Sequence, residues 1–403
     1  MEPSTQPLAG RRVLIVVENL PVPFDRRVWQ EANALAAAGA KVSVICPKGQ
    51  DAQASYELLD GIAIYRHPFP EAGGAWGYLL EYALALFWQF VLAWRVFLTR
   101  GFDVLHACNL PDTIFLIGRV FKLFGRRFVF DHHDINPELY EAKFGRRDLF
   151  WRLLRRLERA TFRTADIAIA TNDSYREIAI GRGGLPPEKV FVVRSGPNLA
   201  RLKPAPAVPA WKRGRRFLIG YVGVIGRQES IEYLLAAMRH IVHTLGRQDI
   251  QAALAGDGPD LPRLKALAQA WDLAGYVTFA GRIADRELMC LLSTAEVCVN
   301  PDEHNAMNDL STMNKVLEYM ALSKPIVQFA LREGRRSAGE ASLYARPNDA
   351  LDLAGKLLEL LANPEQRARM GQIGRARIEA ELAWSHQAPK LIEAYRCLWP
   401  MTP

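Results

Sequence analysis

The sequence predicts an α/β protein built from two doubly wound parallel sheets, and three observations carry that expectation. Short apolar runs such as RRVLIVVEN, KVSVICP and RRFVFDHH alternate with amphipathic stretches, the rhythm of strand–helix–strand units. The rhythm restarts at RFLIGYVG after RLKPAPAVPAWKRG, whose closely spaced prolines read as a linker. A length of 403 residues suits two domains of roughly 200. We place the first at 1–202, the second at 203–382, and at 383–403 a closing helix that packs back toward the first. The two Rossmann-like sheets would face a central cleft, because doubly wound sheets bind ligands at the carboxyl ends of their strands.

Half of the residues are hydrophobic and 23% are charged, the balance of a globular protein. Five cysteines (Cys46, Cys108, Cys290, Cys298, Cys397) form no CxxC pair and no metal-ligand spacing, a reduced, cytosolic pattern. The opening MEPSTQPLAGRR lacks an apolar signal core, so secretion is not expected. A net charge of +8 favours polyanionic partners: nucleic acid, anionic lipid or a phosphorylated substrate. No zinc or nucleic-acid-reading motif and no internal repeat is present.

The first strand ends in the loop ENLPVPFDRRV, which contains no GxGxxG fingerprint. Arg26 and Arg27 open the helix that follows, and Gly39 ends it. Residues 77–98 are the most apolar run, interrupted by Glu81, Gln89 and Arg95. These recur at about two turns and give a narrow wet stripe, as on a crossover helix packed on a sheet. An aromatic face resting on a bilayer is the alternative, carried by Trp76, Tyr78, Tyr82, Trp88 and Trp94. A further strand ends in Asp131, His132, His133 and Asp134. Adjacent histidines on an extended chain point to opposite faces, so one is structural and the other is free to meet a substrate.

Residues 149–164 form a basic amphipathic helix. Arg152, Arg155, Arg156, Arg159 and Arg163 oppose Phe150, Leu153, Leu154, Leu157 and Phe162. Segregated cations and apolar residues suit an anionic lipid surface better than single-stranded nucleic acid, which prefers aromatics among the cations. A plain solvated charged face is the alternative.

In the second half, Gly223 with Gly226, Gly256 with Gly258, and Gly281 before Arg282 follow strands directly. Such glycines permit tight turns or a close backbone approach to a ligand. The stretch NDLSTMNKVLEYMALSKPIVQF, residues 308–329, reads as a loop, a helix of about three turns and a buried strand. Ser311 or Asp309 would cap the helix. Met313, Val316, Leu317 and Met320 would be its buried side, with Ser311, Lys315 and Glu318 on another face. Free first-turn amides, a lysine and a carboxylate together suit an anionic, hydroxyl-bearing ligand such as a nucleoside-diphosphate sugar. An ordinary amphipathic helix is the bland alternative.

Taken together, STMNKVLEYMALSKPIV, YVGVIGRQESIEYLLAA, DRRVWQEANALAAAG and FDHHDINPE resemble motifs of glycosyltransferase family 4, retaining enzymes of the GT-B fold. The resemblance covers nearly the whole chain. It implies that Glu318 holds the donor ribose hydroxyls, that His133 lies near the transferred sugar with His132 as fallback, and that Arg27 lies near the phosphates. It also implies that the loop Asn308, Asp309, Leu310 and Ser311 offers its amides to the sugar and β-phosphate, with Gly223 in the first donor-domain turn. Two departures stand out. Leu310 occupies the place of the first of two family glutamates, with Asp309 one position early. The phosphate-gripping Gly-Arg and Lys-Gly pairs are here Gly223-Val224 and Glu229-Ser230, so the diphosphate charge must be met by Arg227, Arg282 or Lys315.

The implied activity is transfer of a sugar from a UDP- or GDP-sugar to an acceptor. Candidate catalytic residues are His133, Lys315 and Arg227; candidate donor-binding residues are Glu318, Arg282, Asn308, Asp309, Ser311, Gly223 and Arg27. No DxD-type site is evident, so no cofactor and no divalent metal is expected. The departures fit a subgroup associated with bacterial surface-polysaccharide assembly. The expected acceptor is a polyprenyl-diphosphate-linked glycan at the cytoplasmic face of the membrane, with the chain bound peripherally and no nucleic acid involved. A nucleotide-sugar epimerase and a non-catalytic nucleotide-sugar-binding subunit are the competing readings.

Overall fold

A computed structural model describes residues 6–49, 52–68 and 74–399, with side chains from 83 onward in the helix that starts at Gly74. Its contacts divide the chain into two compact units, Met1–Ser195 with Gln387–Pro403, and Gly196–His386.

The first unit is laid down as β1 (Arg12–Val16), α1 (Arg26–Ala37), β2 (Lys41–Pro47), β3 (Tyr56–Leu59), β4 (Ile62–His67), α2 (Gly74–Thr99) and β5 (Val104–Cys108). It continues with α3 (Phe115–Leu123), β6 (Arg127–His132), α4 (Asn136–Phe144), α5 (Leu149–Thr164), β7 (Ile167–Ala170), α6 (Asp173–Gly181) and β8 (Val190–Val192). The sheet order is β3-β4-β2-β1-β5-β6-β7-β8. Among the described strands only the β3–β4 pair is antiparallel. Strands buried on both faces need continuous apolar runs, and β5, β7 and most of β1 are buried along their whole length. The Asp25 carboxylate caps α1 by accepting from the Val28 amide at 3.0 Å, and Gly39 ends it at a φ of 96°.

Two helices differ from their sequence patterns. In α2, Gln89 is buried rather than wet, while Leu84, Phe87, Trp88, Val91 and Leu98 are exposed. The stripe expected along Glu81, Gln89 and Arg95 is therefore broken at its centre. Trp94 packs against Phe97, Phe121 and Phe124. The side chains of Trp76, Tyr78, Glu81 and Tyr82 lie outside those described. No helix among the described residues is long and apolar enough to cross a membrane. In α5, capped by Asp148, all five arginines are exposed, and Phe162 is buried with Glu158, Thr161 and Thr164. Leu149, Phe150 and Leu153 are exposed as well, so only part of the apolar face is spent on the core.

The second unit runs β9 (Phe217–Val222), α7 (Glu232–Arg239), β10 (Ile250–Ala255), α8 (Leu261–Ala270), β11 (Val277–Gly281), α9 (Asp285–Thr294) and β12 (Val297–Asn300). After these come α10 (Asn314–Ala321), β13 (Ile326–Phe329), α11 (Arg332–Ala338), β14 (Ser342–Ala345), α12 (Ala350–Ala362), α13 (Pro364–Arg377) and α14 (Trp384–Arg396). From Gln387 onward α14 belongs to the first unit. The sheet is wholly parallel, in the order β11-β10-β9-β12-β13-β14. Successive residues of β9 enter two different apolar clusters. Phe217, Ile219 and Tyr221 join α7, α8 and α12, while Leu218 joins α9 and α10, as a sheet covered on both faces requires. The proline-rich stretch after Leu202 is anchored rather than loose: the Ala205 and Val208 amides donate to Ser293 Oγ and Thr294 Oγ1 at the end of α9.

Candidate functional site

In the first unit the chemistry gathers at the carboxyl ends of β1, β5 and β6. Strand alternation sends the two adjacent histidines apart, as their spacing implies. His132 is fully buried, with its ring 5.4 Å from Phe130, 5.0 Å from Phe162 and 5.2 Å from Tyr175. His133 keeps 13% of its side chain exposed and sets Nε2 2.6 Å from Asp131 Oδ2. Arg27, delivered by α1, donates to both Asp131 oxygens, Nη2 to Oδ1 at 2.8 Å and Nε to Oδ2 at 3.2 Å. It also donates from Nη1 to the Val193 carbonyl at 2.9 Å and pairs with Glu31 at 3.0 Å. Burial would raise Asp131, but Arg27 and His133 overcome it and hold the carboxylate well below its ordinary range. Burial pushes Glu31 well above the ordinary carboxylate range although Arg27 opposes the shift. One guanidinium thus keeps one carboxylate charged at its fork and leaves the other to take a proton.

Two donor sets here have the proximity a metal ion needs: His106, Cys108 and Asp131, and Glu31, Asp131 and His133. Both use Asp131, whose oxygens already bind the permanent Arg27 cation, and a second cation there would be repelled. Arg27 was expected beside the donor phosphates. It lies in this buried network with protein partners for its guanidinium.

In the second unit the carboxyl ends of β9, β10 and β11 form a layer of glycine turns. The Gly223 amide donates to the Ala255 carbonyl, and the Gly256 amide to the Gly281 carbonyl. Gly256 has a φ of 140°, and a Cβ there would lie 1.8 Å from the Gly223 oxygen, so no other residue fits. Lys315 rises against this layer from α10. Its ammonium pairs with Glu229, and with both Asp302 oxygens at 2.9 and 3.1 Å, and it lies 5.2 Å from the Tyr221 ring centre. Burial would lower the lysine, but Asp302, Tyr221 and Glu229 hold it well above its ordinary value. Burial pushes Asp302 up to about 7, and Glu229 adds to the shift while Lys315 opposes it.

The helix differs from its sequence reading. It has eight residues, begins at Asn314, and its N-cap is Met313 with no side-chain cap. Neither Ser311 nor Asp309 caps it, because both are spent in a short 3₁₀ turn and its surroundings. Ser311 Oγ donates to the Met307 carbonyl at 2.8 Å, and Asp309 accepts from the Arg332 amide at 2.8 Å at the start of α11. Asn308 donates to the Glu303 carbonyl at 3.0 Å. Val316, Leu317 and Met320 are buried, and so is Lys315, so the lysine and Glu318 do not share a wet face. Glu318 accepts instead from Arg201 Nη2 at 2.9 Å. Arg227 is 86% exposed, with Asp260 its nearest acid at 3.9 Å. Arg282 is exposed on the turn after Gly281.

Comparison with known proteins fixes the lineage. The family model described as Glycosyltransferase Family 4 matches residues 25–201, and that described as Glycosyl transferases group 1 matches residues 216–363. The chain belongs to glycosyltransferase family 4. This family 4 chain is 26% identical over 267 residues to the alpha-maltose-1-phosphate synthase of Mycolicibacterium smegmatis, covering 60% of the chain and 65% of the relative. It is also 26% identical over 183 residues to the alpha-D-kanosaminyltransferase of Streptomyces kanamyceticus, covering 45% and 46%. The matched stretches span about half to two thirds of these relatives. Among solved structures it resembles sucrose-phosphate synthase from Thermosynechococcus elongatus, with a TM-score of 0.79, 22% identity and coverage of 97% and 100%. It also resembles Anabaena HepE in complex with UDP-glucose, with a TM-score of 0.72, 15% identity and coverage of 96% and 99%. These neighbours share the GT-B fold, two Rossmann-like domains.

Several residues of the family 4 chain were not singled out from its sequence: Asp302, Arg201, Glu31, His106 and Tyr395. Asp302 carried a signal, since it follows the strand end VCVNP directly, where doubly wound sheets place ligand-binding groups. Nothing local marks Tyr395. It reaches His106 across 289 positions, with its hydroxyl 2.7 Å from Nδ1.

Proposed function

We propose that this chain is a retaining glycosyltransferase that moves a sugar from a uridine or guanosine diphosphate sugar to a hydroxyl on a lipid-linked glycan, at the cytoplasmic face of a membrane. The observation that carries the donor reading is the Lys315 ammonium set against the glycine turns at 223 and 256. A cation beside glycine backbone at the carboxyl ends of parallel strands suits a diphosphate. Glu318 would accept the ribose hydroxyls, sharing its carboxylate with Arg201. In the proposed step the bond from the sugar C1 to the β-phosphate oxygen breaks and one from C1 to the acceptor oxygen forms on the same face. The acceptor proton passes to the departing phosphate. Positive side chains stabilise that leaving group, so no divalent ion is required. HepE, solved with UDP-glucose, supports the donor class.

The lipid acceptor is supported by α5, whose five exposed arginines stand beside exposed Leu149, Phe150 and Leu153. A 26% identical relative from Corynebacterium glutamicum is named as a GDP-mannose-dependent phosphatidylinositol monomannoside mannosyltransferase. Incubation with a panel of UDP- and GDP-sugars and lipid-extracted acceptors, with the anomeric proton of the product read by NMR, tests the reading. An inverted product, or epimerised donor without acceptor, overturns it. Flotation with anionic vesicles should be lost when Arg155 and Arg156 become Glu. The loss of the first family glutamate at Leu310 favours one second reading, a donor-binding subunit, which would bind nucleotide but neither transfer nor hydrolyse.

A further inference from the structure

Which nitrogen of His133 meets a substrate depends on which one the protein already holds. Nε2 lies 2.6 Å from Asp131 Oδ2 and 2.9 Å from Arg27 Nε, and it cannot serve both. As an acceptor from Arg27 it would set its lone pair against the carboxylate oxygen at hydrogen-bond distance with no proton between them. As a donor it makes a charge-assisted bond to Asp131, and Arg27 Nε–H still reaches Oδ2 at 3.2 Å. The acceptor is secure, because the Arg27 guanidinium holds Asp131 ionised against its burial.

The backing extends further. His106 Nε2 stands 3.4 Å from the same Oδ2, and its Nδ1 is 2.7 Å from the Tyr395 hydroxyl. Burial lowers His106, so it is neutral, and burial raises the Tyr395 phenol, which keeps its proton. A phenol donating to Nδ1 leaves the proton of His106 on Nε2, pointing at Asp131. Every hydrogen bond in the row Tyr395–His106–Asp131–His133 then has one donor and one acceptor.

We infer that Asp131 is a positioning residue that fixes His133 as its Nε2–H tautomer and leaves Nδ1 as the ring nitrogen that meets a substrate hydroxyl. The tautomer assignment stands on unit-1 geometry alone; the substrate's identity as a hydroxyl rests on the proposed function. With Nδ1 unprotonated, His133 accepts a hydrogen bond from a hydroxyl of the acceptor. The Nδ1–H tautomer would instead present a donor. The closing helix α14 contributes through Tyr395, a role its sequence does not announce.

The test uses the full chain with ¹⁵N-labelled histidine rings, recorded by long-range ¹H–¹⁵N correlation at mildly alkaline pH. The His133 signals are identified by their loss in His133→Gln. The expected pattern is that of a neutral ring protonated on Nε2, and an Nδ1–H pattern overturns the inference. In Asp131→Asn the ring should become a mixture of tautomers and kcat should fall by at least ~10-fold, as loss of an oriented acid–base group does, with donor KM within about two-fold. An Asp131→Asn chain with wild-type spectrum and wild-type kcat overturns Asp131's role. A wild-type chain that shows the expected spectrum yet transfers no sugar breaks the proposed function and leaves the tautomer assignment standing.

Discussion

The two units solve the same electrostatic problem in opposite ways. Each buries one cation between two carboxylates: Arg27 with Asp131 and Glu31 in the first unit, Lys315 with Asp302 and Glu229 in the second. The guanidinium is a planar fork that grips both Asp131 oxygens and still reaches a backbone carbonyl. The ammonium is a point charge that must be shared. Asp131 accordingly sits well below its ordinary range, while Asp302 is pushed up to about 7. In the first cluster Asp131 is held ionised by its Arg27 fork. In the second, Asp302 titrates near neutrality, and an incoming phosphate could compete for its lysine.

The largest effect should come from breaking the locked cluster. Arg27→Met leaves Asp131 buried without its fork, and removing one partner of a buried ion pair costs about 3–5 kcal/mol. Denaturant unfolding should show that loss. Arg27→Lys should recover only part of it, because an ammonium cannot bond both carboxylate oxygens and the Val193 carbonyl. Full recovery by lysine would erase the contrast between the two clusters.

Next comes the poised cluster itself. Lys315→Ala should reduce turnover with the best donor by roughly 10²-fold, the scale of losing one preplaced donor at a developing charge. Affinity for the nucleoside monophosphate, which lacks the β-phosphate, should change far less, as titration calorimetry would show. Equal losses in both would place the lysine away from the leaving group.

Glu318→Ala should weaken nucleotide binding by about ten-fold, the worth of one charged hydrogen bond of roughly 1.5 kcal/mol. The loss should be similar for mono- and diphosphate, since the ribose is common to both. A diphosphate-selective loss would instead reassign Glu318 to the phosphate side. Glu318 is three residues from Lys315 on one helix yet joined to Arg201 rather than to the lysine cluster, so the two variants should separate cleanly.

These contrasts show what was legible in the sequence and what was not. The two sheets were, because continuous apolar strands and helical periodicity are local signals, and so was the divergence of His132 and His133, which follows from strand alternation. The setting of Lys315 was not. Helical spacing placed it with Glu318 on a face apart from the buried side, but Asp302 on the neighbouring strand end and Glu229 on the β9 loop draw it inward. Those partners lie 13 and 86 positions away, beyond any local pattern. The capping role read for Ser311 failed for a related reason. A short 3₁₀ turn at Asn308–Leu310 intervenes and postpones the helix to Asn314. The buried network around Arg27 was not legible either, because its partner Asp131 sits 104 positions downstream.

The smallest effect is also the most direct comparison of the clusters. The carboxyl of Asp302 has its folded value raised above the ordinary one, to about 7. It is therefore protonated in the folded chain below that pH and ionised above it, whereas in an unfolded chain it ionises near pH ~4. Between those limits the folded state binds the extra proton, so stability from this group falls as pH rises. A diphosphate prefers the uncharged acid. UDP affinity should consequently strengthen by about five-fold as pH falls from ~8 to ~6, on the scale of one screened charge removed near the phosphates. The phosphate of UDP also titrates nearby, so Asp302→Asn is the control: it should keep the high affinity at the upper pH and flatten the profile. Asp131, whose value is depressed, should give no such slope there, since its contribution is lost only in acid. A profile unchanged by Asp302→Asn would mean that the second cluster is as locked as the first.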